Sequence, residues 1–350
     1  MDPHENNRIR VLVVDDSALM SRQIAGILGD DDHIHVVGRA KDGQEALDMI
    51  EILKPDVITL DVEMPRMNGI TTLKHIMVRY ATPTVMISAL TTEGARTTFD
   101  ALKFGAIDVI AKPSRREDQS LEAQKAEIVA KVRRAAAIRT GRSRYVRVPS
   151  SGSAAIKGPG KPADRSTRLI GMGAGTGGYY GLLRVVPALR KTFANTIIAM
   201  LLVANKYIEP FIGYLDWHSA IPVRGIRGVT IPEKGTCYVC SGEDGLIIEK
   251  NRDGIPRFKV MGQYTANPGP IDRLFLSLSA FGQRAAGIVM TGPGSDGAGG
   301  AAVLRGVGGT VLAQDINNCL DPQMPLAALE IDAVDGVLAD YEIPDFLMKL

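Results

Sequence analysis

Residues 168–189 read RLIGMGAGTGGYYGLLRVVPAL, in which an apolar run leads into a glycine-rich turn and then into a segment with apolar residues at helical spacing. A strand followed by a tight turn and a helix is the unit from which parallel α/β sheets are built. Further apolar runs follow at 196–203 (TIIAMLLV), 287–292 (GIVMTG) and 310–315 (TVLAQD). The sequence therefore predicts a doubly wound parallel-sheet domain over residues 167–350.

The amino-terminal part of the chain shows the same alternation. Apolar runs alternate with segments such as GQEALDMIEILK (43–54) and GITTLKHIMVRY (69–80), which have helical spacing. Nearly continuous apolar strands predict a parallel sheet covered by helices on both faces. A last helix at 120–138 completes a predicted domain of residues 8–138. The predicted strands are RVLVVDD, HIHVVGRA, DVITLD, TPTVMIS and DVIAKP.

A change in composition separates the two predicted domains. Residues 139–166 are rich in Gly, Ser, Pro and basic residues and have almost no periodic apolar content. This composition is typical of a flexible linker. The basic residues could also favour an acidic partner surface, but a solvated tether is the simpler interpretation.

The overall composition indicates a soluble globular protein. The 350 residues are 45% hydrophobic and 23% charged, with a formal net charge of +2. That charge is too small to indicate a nucleic-acid partner or a membrane surface. We find no secretory signal in the polar start MDPHENNRIR and no apolar run long enough for a membrane span, so we expect a cytoplasmic protein without membrane insertion.

The cysteines do not indicate a metal or redox site. Cys237 and Cys240 have the spacing of such a pair, but they lie in an apolar run typical of a strand, where an odd separation directs the side chains to opposite faces. No second pair and no flanking histidine accompany them. Packing within a strand is therefore the favoured interpretation.

Polar residues collect at the carboxyl ends of the predicted amino-terminal strands. Acidic residues at one edge of a sheet repel each other unless a cation neutralises them, and an all-oxygen ligand set suits Mg²⁺. A lysine and a hydroxyl opposite them could bind a phosphoryl group and leave one aspartate as its acceptor, forming an aspartyl phosphate. The residues are Asp15 and Asp16 after the first strand, Asp61 after the third, Ser88 after the fourth and Lys112 after the fifth.

Four motifs resemble those of response-regulator receiver domains, which have a flavodoxin-like fold. They are VVDDSALM, LDVEMPRMNGI, ISA and AKPS. The resemblance implies that Asp61 is the phosphoacceptor for a histidine kinase. It also implies that Asp15 and Asp16 hold Mg²⁺ together with Asp61, that Lys112 contacts the phosphoryl group, and that Ser88 moves with it.

Two positions depart from the receiver pattern. Val109 stands where the family usually has an aromatic residue that swings with the hydroxyl residue, so we expect the relay from Asp61 to weaken or to follow another route. Asn68 replaces an aspartate common in that turn, which is a smaller change because both residues suit turns.

The glycine-rich turn also fits the spacing of a dinucleotide-binding motif, at Gly173, Gly175 and Gly178. Such a motif needs an acidic residue after the second strand to hold a ribose, and this chain has Asn205 and Lys206 there. Glycines in this position are also explained by tight packing between strand and helix. We favour the packing interpretation.

The whole chain resembles the chemotaxis protein-glutamate methylesterase family, in which a receiver and a tether precede an α/β catalytic domain. The resemblance rests on GAGTGG at 173–178, VANK at 203–206 and TGPGSDGA at 291–298. Transferred residue by residue, the catalytic serine of the family falls on Gly175, its histidine base on Asn205 and its aspartate on Asp296. Pro293 replaces a methionine of the family. Only the aspartate of the triad is retained.

The resemblance therefore implies a chemotaxis-type response regulator whose output domain binds a partner, such as a chemoreceptor, without catalysis. The alternative is an active protein-glutamate methylesterase or glutamine deamidase with a non-standard site. Such a site would require Thr176, beside the vacant position, and His218, the only histidine after residue 75. A third interpretation is that the second domain only stabilises the first or forms a dimer.

Overall fold

The computed structural model describes residues 8–89, 92–113, 120–138, 167–264 and 267–350. The described residues fall into two compact units, one up to residue 138 and one from residue 167 onward. The predicted linker, residues 139–166, lies outside the described residues. Within the described ranges, no helix is long and apolar enough to cross a membrane.

The first unit contains a five-stranded parallel sheet in the order β2-β1-β3-β4-β5. The strand order reverses at β1, so the carboxyl ends of β1 and β3 border the crevice where ligands bind in doubly wound sheets. The parallel α/β prediction for this unit is confirmed. Its elements are β1 (Ile9–Val14), α1 (Ala18–Gly29), β2 (Ile34–Ala40), α2 (Gly43–Leu53), β3 (Val57–Asp61), α3 (Gly69–Arg79), β4 (Thr84–Ser88), α4 (Thr92–Lys103), β5 (Asp108–Ala111) and α5 (Leu121–Ala137).

Helix α3 packs directly against the end of β3 because it begins with glycine. The Asn68 side chain caps this helix by accepting a hydrogen bond from the Thr71 amide at 2.9 Å. A Cβ at Gly69 would lie only 2.0 Å from the carbonyl oxygen of Asp61. The sequence pair Asn68-Gly69 therefore fixes the turn that follows Asp61.

The second unit contains a seven-stranded sheet in the order β15-β14-β13-β6-β7-β10-β8, with every neighbouring pair parallel. The order reverses at β6, between β7 and β13, so the glycine turn after β6 lies at the crevice of this sheet. The predicted second parallel sheet is confirmed. Its strands and main helices are β6 (Leu169–Ala174), α6 (Gly178–Val185), β7 (Thr196–Leu201), α7 (Ile208–His218), β8 (Val223–Gly225), β10 (Cys237–Ser241), α8 (Pro270–Ser279), β13 (Ala285–Val289), α9 (Ala298–Gly306), β14 (Thr310–Gln314), α10 (Gln323–Glu330), β15 (Gly336–Leu338) and α11 (Ile343–Leu347).

A small antiparallel sheet accompanies the large one and is not predicted by the sequence. It has the order β11-β12-β9, formed by Leu246–Lys250, Pro256–Val260 and Val229–Thr230. These strands are short, and several of their residues are partly or fully exposed. Such segments lack the continuous apolar runs of the parallel strands.

Two motifs that suggested other chemistry belong to the core. Cys237 and Cys240 lie in β10 and are buried, which confirms the strand prediction, and burial raises the pKa of the Cys237 thiol to about 12. A Cβ at Gly173 would lie 2.2 Å from Ile271 of α8, and one at Gly178 would lie 2.7 Å from Ala174. Close packing explains these two glycines without a nucleotide.

We expect Gly69→Ala to lower the free energy of unfolding of the first unit by about 1–3 kcal/mol or more, because the added methyl group overlaps the Asp61 carbonyl. Gly26→Ala is the matched control, since Gly26 is exposed in α1 with open space around its Cβ position, and it should raise stability by up to about 1 kcal/mol. Circular dichroism during urea unfolding of the full chain measures both. Equal stabilities of the two variants would contradict the close approach.

Candidate functional site

Three carboxylates converge at the crevice of the first unit. Asp15 and Asp16 follow β1, and Asp61 ends the neighbouring strand β3. One oxygen from each side chain lies within 4.8 Å of the others. Asp15 and Asp61 are buried, whereas Asp16 is exposed. The structure thus brings together the three predicted acidic residues, with an opening to solvent at Asp16.

Lys112, directly after β5, supplies the positive charge of this pocket. Its Nζ lies 2.6 Å from Asp61 Oδ2 and 3.3 Å from Asp15 Oδ2. The second contact is an ion pair without a well-directed hydrogen bond, because Asp15 Oδ2 is buried and has no hydrogen-bond partner among the described residues. A buried carboxylate oxygen with a free lone pair is an available ligand for a cation. The three acids therefore fit the predicted Mg²⁺ site.

Burial changes the protonation behaviour of the pocket. Desolvation raises the pKa of Asp61 to about 6, although the hydrogen bond and charge of Lys112 act in the opposite direction. Burial also raises the pKa of Asp15. The pKa of Lys112 is lowered by burial but raised more by Asp61 and Asp15, so the ammonium remains charged.

The hydroxyl of Ser88 is held by a residue that the sequence did not indicate. Ser88 ends β4 and is buried, and the Oγ1 of Thr98 in α4 donates a hydrogen bond to Ser88 Oγ at 2.7 Å. Thr98 is also fully buried. The segment TEGARTTFDALK contains no motif that distinguishes Thr98 from the other threonines, so only the packing of α4 reveals this contact.

Val109 lies in the middle of β5 and is fully buried. It is paired in register with Met86, and Ala111 is paired with Ser88. Because alternate residues of a strand share a face, Val109 and Ser88 lie on the same face of the sheet. A buried, β-branched side chain cannot swing to the surface as a large aromatic residue could.

In the second unit, the position that corresponds to the nucleophile is closed by the proline ring and the backbone of a neighbouring loop. A Cβ at Gly175 would lie 2.8 Å from Cδ of Pro293 and 3.0 Å from Cα of Gly292. The Gly175 amide donates a hydrogen bond to the carbonyl of Thr291 at 2.8 Å. Any side chain at position 175 would therefore require a shift of the loop that follows β13.

The position that corresponds to the base is at the surface. Asn205 is exposed and begins a single 3-10 turn before α7. Its backbone amide donates a hydrogen bond to Glu243 Oε2 at 3.0 Å. The Nζ of the next residue, Lys206, lies 5.3 Å from the ring centre of Tyr207. Neither residue supplies an imidazole.

Asp296, the retained acidic residue, holds the start of a helix. Its two carboxylate oxygens accept hydrogen bonds from the amides of Ile271 and Asp272, at 3.0 and 2.9 Å. These amides belong to the first turn of α8, where donors have no partner within the helix. Burial raises the pKa of Asp296, while the backbone hydrogen bonds lower it.

The two residues proposed for a substitute esterase site do not form a pair. Thr176 is buried beside Gly175, and its carbonyl accepts a hydrogen bond from Thr291 Oγ1 at 2.8 Å. His218 is the last residue of α7, and its Nδ1 lies 2.8 Å from the carbonyl oxygen of Tyr214. Because α7 has eleven residues, its rise places His218 roughly 15 Å along the helix axis from the first residue, Ile208.

Comparison with known proteins agrees with this architecture. Residues 170–347 match the family model CheB methylesterase, and residues 11–123 match the model Response regulator receiver domain. The chain belongs to the CheB methylesterase family. The family prediction made from the sequence is therefore confirmed, as is the prediction of two parallel-sheet α/β domains.

Several proteins resemble this CheB-family chain over nearly its whole length. The protein-glutamate methylesterase/protein-glutamine glutaminase of Pyrococcus abyssi is 36% identical over 355 residues, which covers 99% of this chain and 95% of that protein. A Caulobacter vibrioides protein with the same name, numbered 1, is 37% identical and covers 94% of each chain. The CheB methylesterase catalytic domain of Thermotoga maritima is 26% identical, covers 53% of this chain and 98% of that structure, and has a TM-score of 0.50.

The names of these CheB-family relatives favour the alternative drawn from the sequence, an active ester hydrolase, over the interpretation as a binding domain. These names describe the relatives. At the positions that correspond to the family's serine, histidine and aspartate, this chain has Gly175, Asn205 and Asp296. The roles of Asp15, Asp16, Asp61, Ser88, Lys112 and Asp296 remain predictions.

The raised pKa of Asp61 predicts a pH-dependent stability. Between pH 3.8 and about 6 the folded state binds a proton more strongly than the unfolded state, so stability falls as the pH rises through this window. The free energy of unfolding of Asp61→Asn, relative to the parent in EDTA, should therefore rise by up to about 3 kcal/mol from pH 4 to pH 7. Urea unfolding at several pH values measures this difference. A difference that is constant with pH would contradict the burial effect.

Proposed function

We propose that this CheB-family chain is a phosphorylation-controlled response regulator of a chemotaxis-type system. Asp61 accepts a phosphoryl group from a phosphohistidine of a histidine kinase, and the CheB domain is the output. The observation that carries the first part is the pocket itself. It joins a buried carboxylate, two further acids and a lysine ammonium 2.6 Å away at the crevice of a doubly wound sheet.

In this reaction a carboxylate oxygen of Asp61 attacks phosphorus, so that a P–O bond forms while the P–N bond to histidine breaks and the imidazole leaves. Lys112 contacts the transferred phosphoryl oxygens. Asp15, Asp16 and Asp61 would hold Mg²⁺, which would offset the negative charge of the phosphoryl group. Ser88 turns toward the phosphoryl group when Asp61 is modified.

We expect the full chain to incorporate one acid-stable, base-labile phosphoryl group when incubated with a small-molecule acyl phosphate and Mg²⁺. Asp61→Asn should lose this incorporation, because the amide is not a nucleophile. The control is Asp48→Asn, an exposed position on α2 outside the pocket, which should retain it. Phosphate incorporation by Asp61→Asn at the parent level would refute the assignment of Asp61.

We propose that the output domain binds a signalling partner, such as a chemoreceptor, without serine-esterase chemistry. The carrying observation is the closed space at Gly175, where Pro293 and Gly292 occupy the volume that a nucleophile's Cβ would need. The side chain of Asn205 has no imidazole, and His218 lies at the opposite end of α7, so neither of these described residues serves as the base. Acyl transfer to serine needs both groups within about 3 Å of each other.

A second candidate function is an active methylesterase or glutaminase acting on chemoreceptors. The names of the relatives, which are similar over nearly the full chain, favour it. It would require a nucleophile and a base other than the residues that correspond to the family's serine and histidine. Turnover of the receptor distinguishes the two candidates.

The deciding assay uses the full chain with and without a phosphodonor and Mg²⁺. It measures release of methanol from methylated chemoreceptors and release of ammonia from chemoreceptors that carry glutamine. We expect no release above the uncatalysed rate. Release by the natural chain, stimulated by phosphorylation, would establish the second candidate instead.

Restoring the family's residues tests the steric argument. We expect Gly175→Ser with Asn205→His to release methanol only slightly above the uncatalysed rate, because Pro293 still occupies the space beside the serine Cβ. Adding Pro293→Met, the residue of the family, should relieve this contact and raise methanol release by roughly 10²-fold over the double variant, the typical cost of a misplaced catalytic group. Equal release by the two variants would contradict the role assigned to Pro293.

A further inference from the structure

A buried pair of hydroxyl groups joins helix α4 to the phosphoacceptor edge. Thr98 donates to Ser88 Oγ at 2.7 Å, and both side chains are almost completely buried. The next residue, Phe99, and Leu102 anchor the same helix in the core. The Ser88–Thr98 pair therefore connects the end of β4 to a rigidly packed part of α4.

We propose that the Thr98 hydroxyl holds Ser88 in the resting orientation and transmits the state of Asp61 to α4. This inference rests on the proposed function of Asp61 and adds a regulatory residue to it. The hydroxyl of Thr98 contacts Ser88 and would act on the phosphoryl group through that residue, so Thr98 is a positioning residue.

The geometry of Ser88 supports this role. In the resting structure its Oγ accepts the short bond from Thr98, and its distance to the carbonyl oxygen of Ala89 is a long 3.4 Å. Thr98 is therefore the closer of these two contacts. Ser88 Oγ must change its hydrogen bonds to turn toward a phosphoryl group at Asp61, so the Thr98 bond opposes that turn in the resting state.

Transmission from Asp61 through Val109 is less available, because this side chain is fully buried. On the same face of the sheet, this side chain has no polar group and no exposed orientation to adopt. A population shift requires an element whose two states differ in their contacts. Among Ser88, Thr98 and Val109, only the two hydroxyl residues can exchange hydrogen bonds. The relay then passes from Asp61 through Ser88 and Thr98 to α4.

The test measures the affinity of the full chain for beryllofluoride, a phosphoryl analogue, in the presence of Mg²⁺. Thr98→Val removes the hydroxyl while keeping the shape, so it destabilises the resting orientation of Ser88 and should tighten binding about three- to tenfold. Thr98→Ser keeps the hydroxyl and should remain near the parent. Hydrogen exchange of α4 amides should respond to beryllofluoride in the parent and less in Thr98→Val.

The matched control is Thr72→Val. Thr72 is equally buried, and its hydroxyl donates to the Asn68 carbonyl within α3 at 2.9 Å, without contact to Ser88. This variant should lose stability but keep the parent affinity. Parent-like affinity and exchange in Thr98→Val would overturn the inference while leaving the phosphoacceptor intact. Failure of the parent to bind beryllofluoride would instead refute the proposed function of Asp61.

Discussion

The ion pair between Lys112 and Asp61 joins the carboxyl ends of β5 and β3, which are separated in the sheet by β4. A buried carboxylate is tolerated only where a partner offsets its loss of hydration. Here the Lys112 ammonium contacts Asp61 and Asp15, and Asp16 lies in the same acidic cluster, so among these four described groups negative charge is in excess when all three carboxyls are ionised. The turn at Gly69 packs against the backbone carbonyl of Asp61 and so fixes the chain that follows this carboxylate.

In the second unit, close packing occupies the space beside the position that corresponds to the family's serine. The backbones that follow β6 and β13 approach each other at Gly175 and Gly292, and Pro293 completes the contact. This contact packs the two loops tightly at the crevice and leaves no room for a side chain at position 175. The sheet that would support catalysis is thus intact, while the space for a nucleophile is filled.

Strong local patterns predicted both parallel sheets, the acidic pocket and Lys112. Each of these polar residues directly follows or ends its own continuous apolar strand, so a short stretch of sequence is enough to locate it. The antiparallel sheet that includes Val229–Thr230 was not predictable, since its strands are short and partly exposed. Thr98 was not predictable either, because its role depends on how α4 packs against β4. The steric conflict between Gly175 and Pro293 joins residues more than a hundred positions apart, and no local pattern encodes it.

The two hydrogen bonds of Asp296 give this residue a structural role of its own. This carboxylate anchors the first turn of α8 through two backbone amides, a task that the fold requires whether or not any substrate is processed. A serine at position 175 or a histidine at position 205 would have no comparable structural role. An aspartate at position 296 is therefore explained by the architecture of the scaffold alone, and its presence in the sequence is by itself weak support for turnover.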